Sequence, residues 1–552
     1  MTFGPIPVVL ATSGHRDLLD TEIPSIRKAL HTEFTTLRKQ YPGTRFQLMN
    51  GLAEGADWLI AEEALVHGFE LIAILPMPQA AYEQDFSTPE TLARFRLLLS
   101  KATEIQVAPM PRFLARDSSR DARYRALGMY LAQQAQRLYA LWDGSTENPL
   151  PGGTADVVRL CREGIENGEN PLAQPETCQV RHLRCNRRKN PLAYTAEEAS
   201  SWAPIITDIA IGTRKCWNEI FQSIEDFNRA AIKIQQAAPD EIVKSRQWLT
   251  GKTNYPSVIE SSLQTFAIAD ALSRSKQKQR TTTLWLLSSL VFLSIFFQQL
   301  HLGPDTQWYW LALHIGFGLI AFASYRAFFS GTRNSEVQYM DWRALAEGLR
   351  VQICWKAAGI DECASKYYLS SQNDELGWIR YAIQNSTTTG STSLAGSDFP
   401  WVKERWLEGQ KNYFLRDGSS APKKQQKLAK RMLYSRILFF SGGATTLLLL
   451  LKSITSLPIQ LLPWLTFFAA ILFVLSAIFR NHSDLMAYEE DANRYQKMGN
   501  LFDRALIVLS QHIEAGNTES ARTVLKLIGK EALAENGEWL LLHRQRKFEL
   551  PT

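Results

Sequence analysis

Cysteine is scarce in this chain. Six in 552 residues are too few and too scattered for a disulfide framework. No basic flank followed by a short apolar segment opens the sequence, so nothing marks a signal peptide, and the N-terminal part is expected in the cytosol. A dominant charge is missing as well: 61 Lys and Arg against 55 Asp and Glu leave a formal net charge of +6. Spread over so long a chain, that excess argues against a nucleic-acid partner. Apolar residues are plentiful, at 45%, with 15 Trp and 27 Phe, enough for several cores and for membrane spans. At about 150 residues per domain the length suggests three or four units.

Two of the apolar runs carry almost no charge. Residues 281–300 and 308–329 are each near the 20 or so residues that cross a hydrocarbon core of about 30 Å, and neither shows the polar stripe of a soluble helix. The turn between them holds Gly303, Pro304 and Asp305, so the pair forms an antiparallel hairpin. Residues 437–451 and 461–479 repeat the arrangement. Arg274, Lys276, Lys278 and Arg280 precede the first pair and Arg326 and Arg333 follow it. Lys423, Lys424, Lys427, Lys430, Arg431 and Arg436 precede the second, and Arg480 follows. The positive-inside rule then puts both termini and the central segment in the cytoplasm of a multi-pass inner (plasma) membrane protein. His314 is the ionisable residue well inside the first pair, either lining a path or hydrogen-bonded in packing. Gly316, Gly318, Gly442 and Gly443 permit close helix contact and suit a homo-oligomer.

Ahead of the spans, strand-like and helix-like stretches alternate. Short apolar runs at 6–12, 46–49, 71–75, 105–108 and 138–142 are separated by helical periodicity at 20–40, 58–67, 88–100 and 120–137. This predicts an α/β Rossmann-like, doubly wound parallel sheet. Such sheets hold ligands outside the carboxyl ends of their strands, where three loops stand out. Ser13-Gly14-His15-Arg16 pairs a permissive glycine with a forked cation suited to phosphate. Gly51-Leu52-Ala53-Glu54-Gly55 leads into a helix start whose N–H groups face the crevice. Asp143-Gly144 ends the last strand, and Gly152-Gly153-Thr154 then opens a helix, a further anion seat. Glu54 and Asp156 are the carboxylates positioned for acid or base work should the domain be catalytic, although ligand contact or capping is the preferred reading.

These loops together resemble the SLOG superfamily, named for the DNA-processing Smf/DprA proteins and the LOG phosphoribohydrolases. The matching residues are Gly14-His15-Arg16, the 51–57 loop, Trp142-Asp143-Gly144 and Pro151-Gly152-Gly153-Thr154, over roughly residues 6–165. The resemblance implies a nucleotide-derived ligand, with no cofactor required. It departs from the hydrolases of that group, whose pattern has a further glycine before the threonine and a glutamate soon after; here Thr154 follows Gly153 directly and no glutamate comes close behind.

After residue 162 the pattern dissolves. Cys178, His182 and Cys185 invite a zinc reading but lack a fourth ligand at a familiar interval, which favours ordinary loop residues. The basic run 181–189 is either a solvated face or a lid over phosphates. Helical spacing returns at 197–237 and 259–272. Each span pair then hands over to a long helix, 335–358 with Tyr339, Trp342, Leu345, Leu349 and Ile353 on one face, and 484–513 with Tyr488, Tyr495, Met498, Leu501 and Phe502. The segment Tyr339-Met340-Asp341-Trp342-Arg343-Ala344-Leu345-Ala346-Glu347-Gly348-Leu349-Arg350-Val351-Gln352, behind a span pair, resembles the SLATT family, the SMODS and SLOG-associating transmembrane effectors of bacterial antiviral defence. That resemblance implies pore formation or membrane disruption. The expected organisation is a nucleotide-binding domain at 1–165, connectors at 166–280, an all-α first membrane module at 281–385, a flexible linker at 386–430 and a second module at 431–552. Three functions follow as expectations: a sensor-effector, a membrane-tethered nucleotide N-glycosidase, or an anchored scaffold.

Overall fold

Buried parallel strands are written as short, almost wholly apolar runs, because helices cover both faces of the sheet. The computed structural model describes residues 3–117, 119–146, 150–165, 177–204, 217–251, 255, 259–329, 335–368, 376–388, 398–416, 420–451, 461–485 and 488–545. Two compact units divide the chain: Met1–Pro239, Glu260–Thr265 and Cys363–Thr392 form one, and Asp240–Ile259, Phe266–Glu362 and Ser393–Thr552 the other.

The first unit runs β1 (Val8–Gly14), α1 (Ile23–Gln40), β2 (Phe46–Asn50), α2 (Ala56–Val66), β3 (Glu70–Leu75), α3 (Gln79–Tyr82), α4 (Pro89–Ser100), β4 (Glu104–Val107), α5 (Arg120–Gln134), β5 (Arg137–Trp142), α6 (Thr154–Glu163), β6 (Gln179–Arg184) and α7 (Trp217–Ala237). Further along come α8 (Pro239–Thr250), α9 (Glu260–Leu302), α10 (Trp308–Phe329), α11 (Ser335–Ala357), α12 (Gly377–Thr388), α13 (Phe399–Val402), α14 (Gly409–Leu415), α15 (Ser420–Leu451), α16 (Leu462–Leu485), α17 (Tyr488–Glu514) and α18 (Thr518–Gln545).

All six strands are parallel, in the order β4-β3-β2-β1-β5-β6. The doubly wound sheet expected from the alternation is present, and its order reverses between β1 and β5. Every residue of β2 and β5 is buried, as central strands covered on both faces must be. Three details differ from the sequence reading. Ser13 and Gly14 are the last residues of β1, paired with Ala140 and Leu141, rather than loop. Arg137 starts β5 instead of ending α5. The stretch after residue 162 supplies a sixth strand, β6, whose cationic sequence hides it; it pairs with β5 on one side and is bonded on the other by residues 200–203, with the Ala203 amide donating to the His182 carbonyl at 2.8 Å and the Arg184 amide to the Ser201 carbonyl at 3.0 Å.

Polar side chains dock two later helices onto the amino end of the sheet. Glu225 of α7 accepts from the Gly43 amide at 3.0 and 3.1 Å and from the Thr44 hydroxyl at 2.7 Å, fully buried. Asn228 accepts from the Ile6 amide at 3.1 Å and donates to the Ile6 carbonyl at 2.8 Å. From α12, Asn385 exchanges amide bonds with Gln136 at 2.9 and 3.1 Å and donates to the Pro7 carbonyl at 2.9 Å.

Among the described residues four helices are long and apolar enough to cross a membrane: Glu260–Leu302, Trp308–Ala327, Gln425–Leu451 and Leu462–Asp484. They turn large apolar side chains outward, Leu319 at 63%, Phe440 at 71% and Leu450 at 68% exposure, a belt that water would not tolerate and lipid would. Between helices the contacts are close and partly polar. His314 Nδ1 lies 2.9 Å from Ser294 Oγ, the packing role rather than a lone ionisable group. Ser435 and Ser476 bond across α15 and α16, and Gly442 sits beneath the Phe473 ring. The long helices α11 and α17 are present. α18, which the sequence did not announce, packs on α11: Trp355 donates to the Leu525 carbonyl at 3.1 Å, above Gly529, where a Cβ would collide with the indole. The 386–430 stretch expected as flexible linker contains α13, the turn Lys403–Glu408 and α14, with Trp406 buried; residues 389–397 of it, and 205–216 of the expected connector helix, lie outside the described residues.

Glu225→Ala removes the acceptor for two buried donors at once. It is expected to cost about 3 kcal/mol, read as a lowered midpoint in thermal or urea unfolding of the full chain, while an exposed control such as Glu197→Ala leaves the midpoint nearly unchanged.

Candidate functional site

The reversal of strand order places the carboxyl ends of β1 and β5 side by side, and open α/β sheets offer their ligand crevice at such a point. The β1 end is stitched to the start of α2. The Ala56 amide donates to the His15 carbonyl at 3.0 Å, and Gly55, at φ +84°, stands where a Cβ would strike the carbonyls of His15 and Arg16. Gly14 in turn touches Ala56 and the Leu141 carbonyl. Both glycines are required by close approach of backbone.

The loop after β2 folds inward instead of lining the crevice along its whole length. Gly51 and Leu52 are buried; Tyr82 donates to the Gly51 carbonyl at 3.0 Å and Trp58 to the Leu52 carbonyl at 2.9 Å. Leu52 takes φ +53°, held there by Asn50, which accepts from its amide at 2.6 Å. Ala53, Glu54 and Gly55 stay partly exposed. One Glu54 carboxylate oxygen is buried with no hydrogen-bond partner. Beneath this loop lies Asp57, the last residue of the 51–57 match, which accepts from Thr12 Oγ1 at 3.2 Å and the Ala53 amide at 3.3 Å. Burial pushes its carboxyl up to about 6 against those bonds.

On the β5 side, His15 Nε2 lies 3.0 Å from Asp143 Oδ1. Burial lowers the imidazole pKa more than Asp143 raises it, and the Asp143 amide donates to the same Nε2 at 3.2 Å. Burial works to raise the Asp143 carboxyl, but the bonds from His15, the Ser145 amide and Asn190 outweigh it and keep it ionised. Gly144, at φ +78°, lies against the Tyr194 hydroxyl. The basic run does reach the crevice, and three of its cations are matched: Arg187 pairs with Asp17 at 2.9 Å, Arg188 with Asp20 at 3.0 Å and Arg181 with Glu33 at 3.0 Å. Cys178, His182 and Cys185 do not converge on a metal. Cys178 neighbours Cys161, its amide donating to the Cys161 carbonyl at 3.0 Å, and His182, kept neutral by burial, bonds the Trp142 carbonyl at 2.8 Å.

The third loop meets the first through Tyr124. Arg16 donates to the Tyr124 hydroxyl at 3.1 Å and lies over its ring, while Gly152, at φ +73°, packs on the Tyr124 backbone so closely that a Cβ has no room. Gly153 caps α6, so a guanidinium and a helix N-terminus flank one aromatic residue. Thr154 is buried in the first turn. Asp156 is committed to structure, accepting from the Gly152 amide at 3.0 Å and from Arg159 at 2.6 Å. Of the two candidate catalytic carboxylates, only Glu54 retains an unused oxygen.

The helical unit holds cavities that sequence reasoning missed. One of about 270 Å³ is lined in part by Arg280, Arg343, Tyr339, Tyr495, Glu535 and Trp539, and another of about 420 Å³ by Trp248, Asp270 and Arg274, with Arg343 and Arg350 common to both. The arginines are paired, Arg343 with Glu347 at 2.5 Å and Arg350 with Glu347 at 2.6 Å, and Arg350 lies 4.6 Å over Trp248. Burial pushes the Glu535 carboxyl up to about 7 despite Arg494 at 3.0 Å. The signal was present in the sequence: Arg343, Glu347 and Arg350 share the helical face of Tyr339 and Trp342, where a core stripe would carry no charge. Comparison with known proteins adds no name to either site, since no family model and no curated protein matches this sequence.

The raised Asp57 carboxyl makes a pH prediction. Its folded pKa of about 6 exceeds the unfolded value of 3.8, so the folded state holds the extra proton. Stability is full below about pH 4 and falls as pH rises through 6, by at most about 3 kcal/mol. In Asp57→Asn that component disappears: the difference in unfolding midpoint between variant and wild type should change between pH 4 and 6.5 and be flat outside that window.

Proposed function

We propose that this protein is a membrane-bound sensor-effector: the crevice between β1 and β5 takes a nucleotide-derived ligand on the cytoplasmic side, and its occupancy controls the four membrane helices. The observation that carries this reading is the meeting of Arg16 and the Gly152-Gly153 start of α6 at Tyr124. A forked cation and a helix N-terminus are complementary to a phosphate, and the unpartnered Glu54 oxygen is complementary to a ribose hydroxyl. The likeness of these loops to the SLOG superfamily, and of the 339–352 helix to the SLATT effectors, supports a nucleotide signal and a membrane-disrupting output of the antiviral kind.

The charge distribution supports cytoplasmic termini, because lysine and arginine crowd the outer ends of both span pairs. Gly316 and Gly443 have nothing within 4 Å of where a Cβ would stand, which leaves two small-residue patches for helices of another copy. A pore needs such copies, since four mostly apolar helices enclose little water.

The nucleotide N-glycosidase is the second reading, and the same Glu54 oxygen favours it. The test is dye release from liposomes carrying the full chain, challenged with a panel of mononucleotides and cyclic nucleotides while products are followed. The sensor reading expects release that depends on one nucleotide without its hydrolysis, and a concentration requirement raised about tenfold or more by Arg16→Ala. Hydrolysis abolished by Glu54→Gln would instead establish the enzyme. Indifference to every nucleotide and to Arg16→Ala would leave an anchored scaffold.

A further inference from the structure

A second constellation lies in the α/β unit, away from the crevice. Glu63 and His67 stand four residues apart, in the last turn of α2 and at its C-cap, and His31 projects from the middle of α1. The i, i+4 spacing puts the first two on one helical face. His31 Nδ1 lies 2.8 Å from Glu63 Oε1; His67 Nε2 lies 3.2 Å from the same oxygen and 3.1 Å from His31 Nδ1. His67 is only three residues ahead of β3, so this cluster sits toward the amino ends of the strands, opposite the crevice.

Protons satisfy this triangle poorly. With both imidazoles neutral, two N–H groups aimed at one carboxylate oxygen also face each other across 3.1 Å. If instead either ring turns its lone pair inward, that lone pair faces the carboxylate. One cation at the centre accepts all three lone pairs together.

We propose that His31, Glu63 and His67 bind a divalent transition metal of the zinc class. A tetrahedral site with metal–ligand distances near 2.0–2.1 Å separates its ligand atoms by about 3.3 Å, and the three donor atoms stand within about half an ångström of that triangle. Two imidazole nitrogens with one carboxylate oxygen suit zinc, cobalt or nickel and not calcium or magnesium. Glu63 and His67 are nearly enclosed while the His31 side chain is 60% exposed, so the fourth position opens to solvent. The residues behind the site hold it in shape. Arg38 donates to the His67 carbonyl at 3.0 Å and to the Gly68 carbonyl at 2.5 Å, and Phe34 packs edge-on against the His67 ring. Three protein ligands with one exchangeable position clip α1 to α2 and leave room for a small ligand on the metal.

The test uses the full chain in detergent, without a polyhistidine tag, stripped with a chelator and titrated with Co²⁺. The site predicts visible d–d bands that saturate at one Co²⁺ per chain and are displaced by Zn²⁺, and a Zn²⁺-dependent rise in the unfolding midpoint. His31→Ala, at an exposed position, and Glu63→Gln should each weaken Co²⁺ binding by about tenfold or more and abolish that rise; His31→Ala keeps the test decisive if the buried substitution impairs folding. No stoichiometric uptake by the wild type, wild-type affinity in His31→Ala, or near-ultraviolet thiolate-to-cobalt bands marking cysteine ligation would each overturn the assignment.

Discussion

The 3.0 Å bond from the Ala56 amide to the His15 carbonyl is the constraint on which the crevice depends. It fastens the end of β1 to the beginning of α2, and it is possible only because Gly55 adopts a positive φ in a space that admits no Cβ. With the strand end fixed, His15 is carried to Asp143, just past the end of β5, and Arg16 to Tyr124 on α5. Three loops from separate parts of the chain are thereby brought together.

Around this frame the charges are mostly cancelled in pairs. Asp17 and Asp20 meet Arg187 and Arg188, Glu33 meets Arg181, and Asp156 meets Arg159. Arg16 differs in kind, since its neighbour is a tyrosine hydroxyl that itself donates to Asp85. A neutral partner leaves a guanidinium more of its field for a phosphate than a carboxylate would. Glu54, with one oxygen unused, is the complementary feature. The helical unit shows the opposite balance, with its arginines bound to Glu347 and Asp270 inside the cavities.

Elements whose cause is local were legible in the sequence. Five of the six strands are short apolar runs closed by turn residues, and the four long apolar helices declare themselves by length. Gly14, Gly55 and Gly152 were visible as glycines at strand or helix ends, although only the coordinates give their neighbours. What could not be read depends on distant partners. β6 hides because Arg181 and His182 find Glu33 and Trp142 far away in sequence. The inward fold of Gly51 and Leu52 rests on Tyr82 and Trp58, and the seat of α12 rests on Asn385 meeting Gln136. The 386–430 stretch misled because its Ser, Thr and Gly are densest at its beginning, while Trp401, Trp406 and Phe414 later in it are buried.

A ligand shifts a two-state membrane assembly only through a difference in affinity for the two states, and moving it from 1:99 to 99:1 needs about 5.5 kcal/mol. On the proposed reading, a nucleotide must contact these loops differently in the two states. Hydrogen exchange of the full chain in lipid nanodiscs, with and without the nucleotide panel, tests this most directly. The account predicts slowed exchange at residues 13–16 and 152–156 with one nucleotide, accompanied by altered exchange in α11 or α17. Unchanged exchange at those loops, or slowing confined to the arginine-lined cavities of the helical unit, would contradict it.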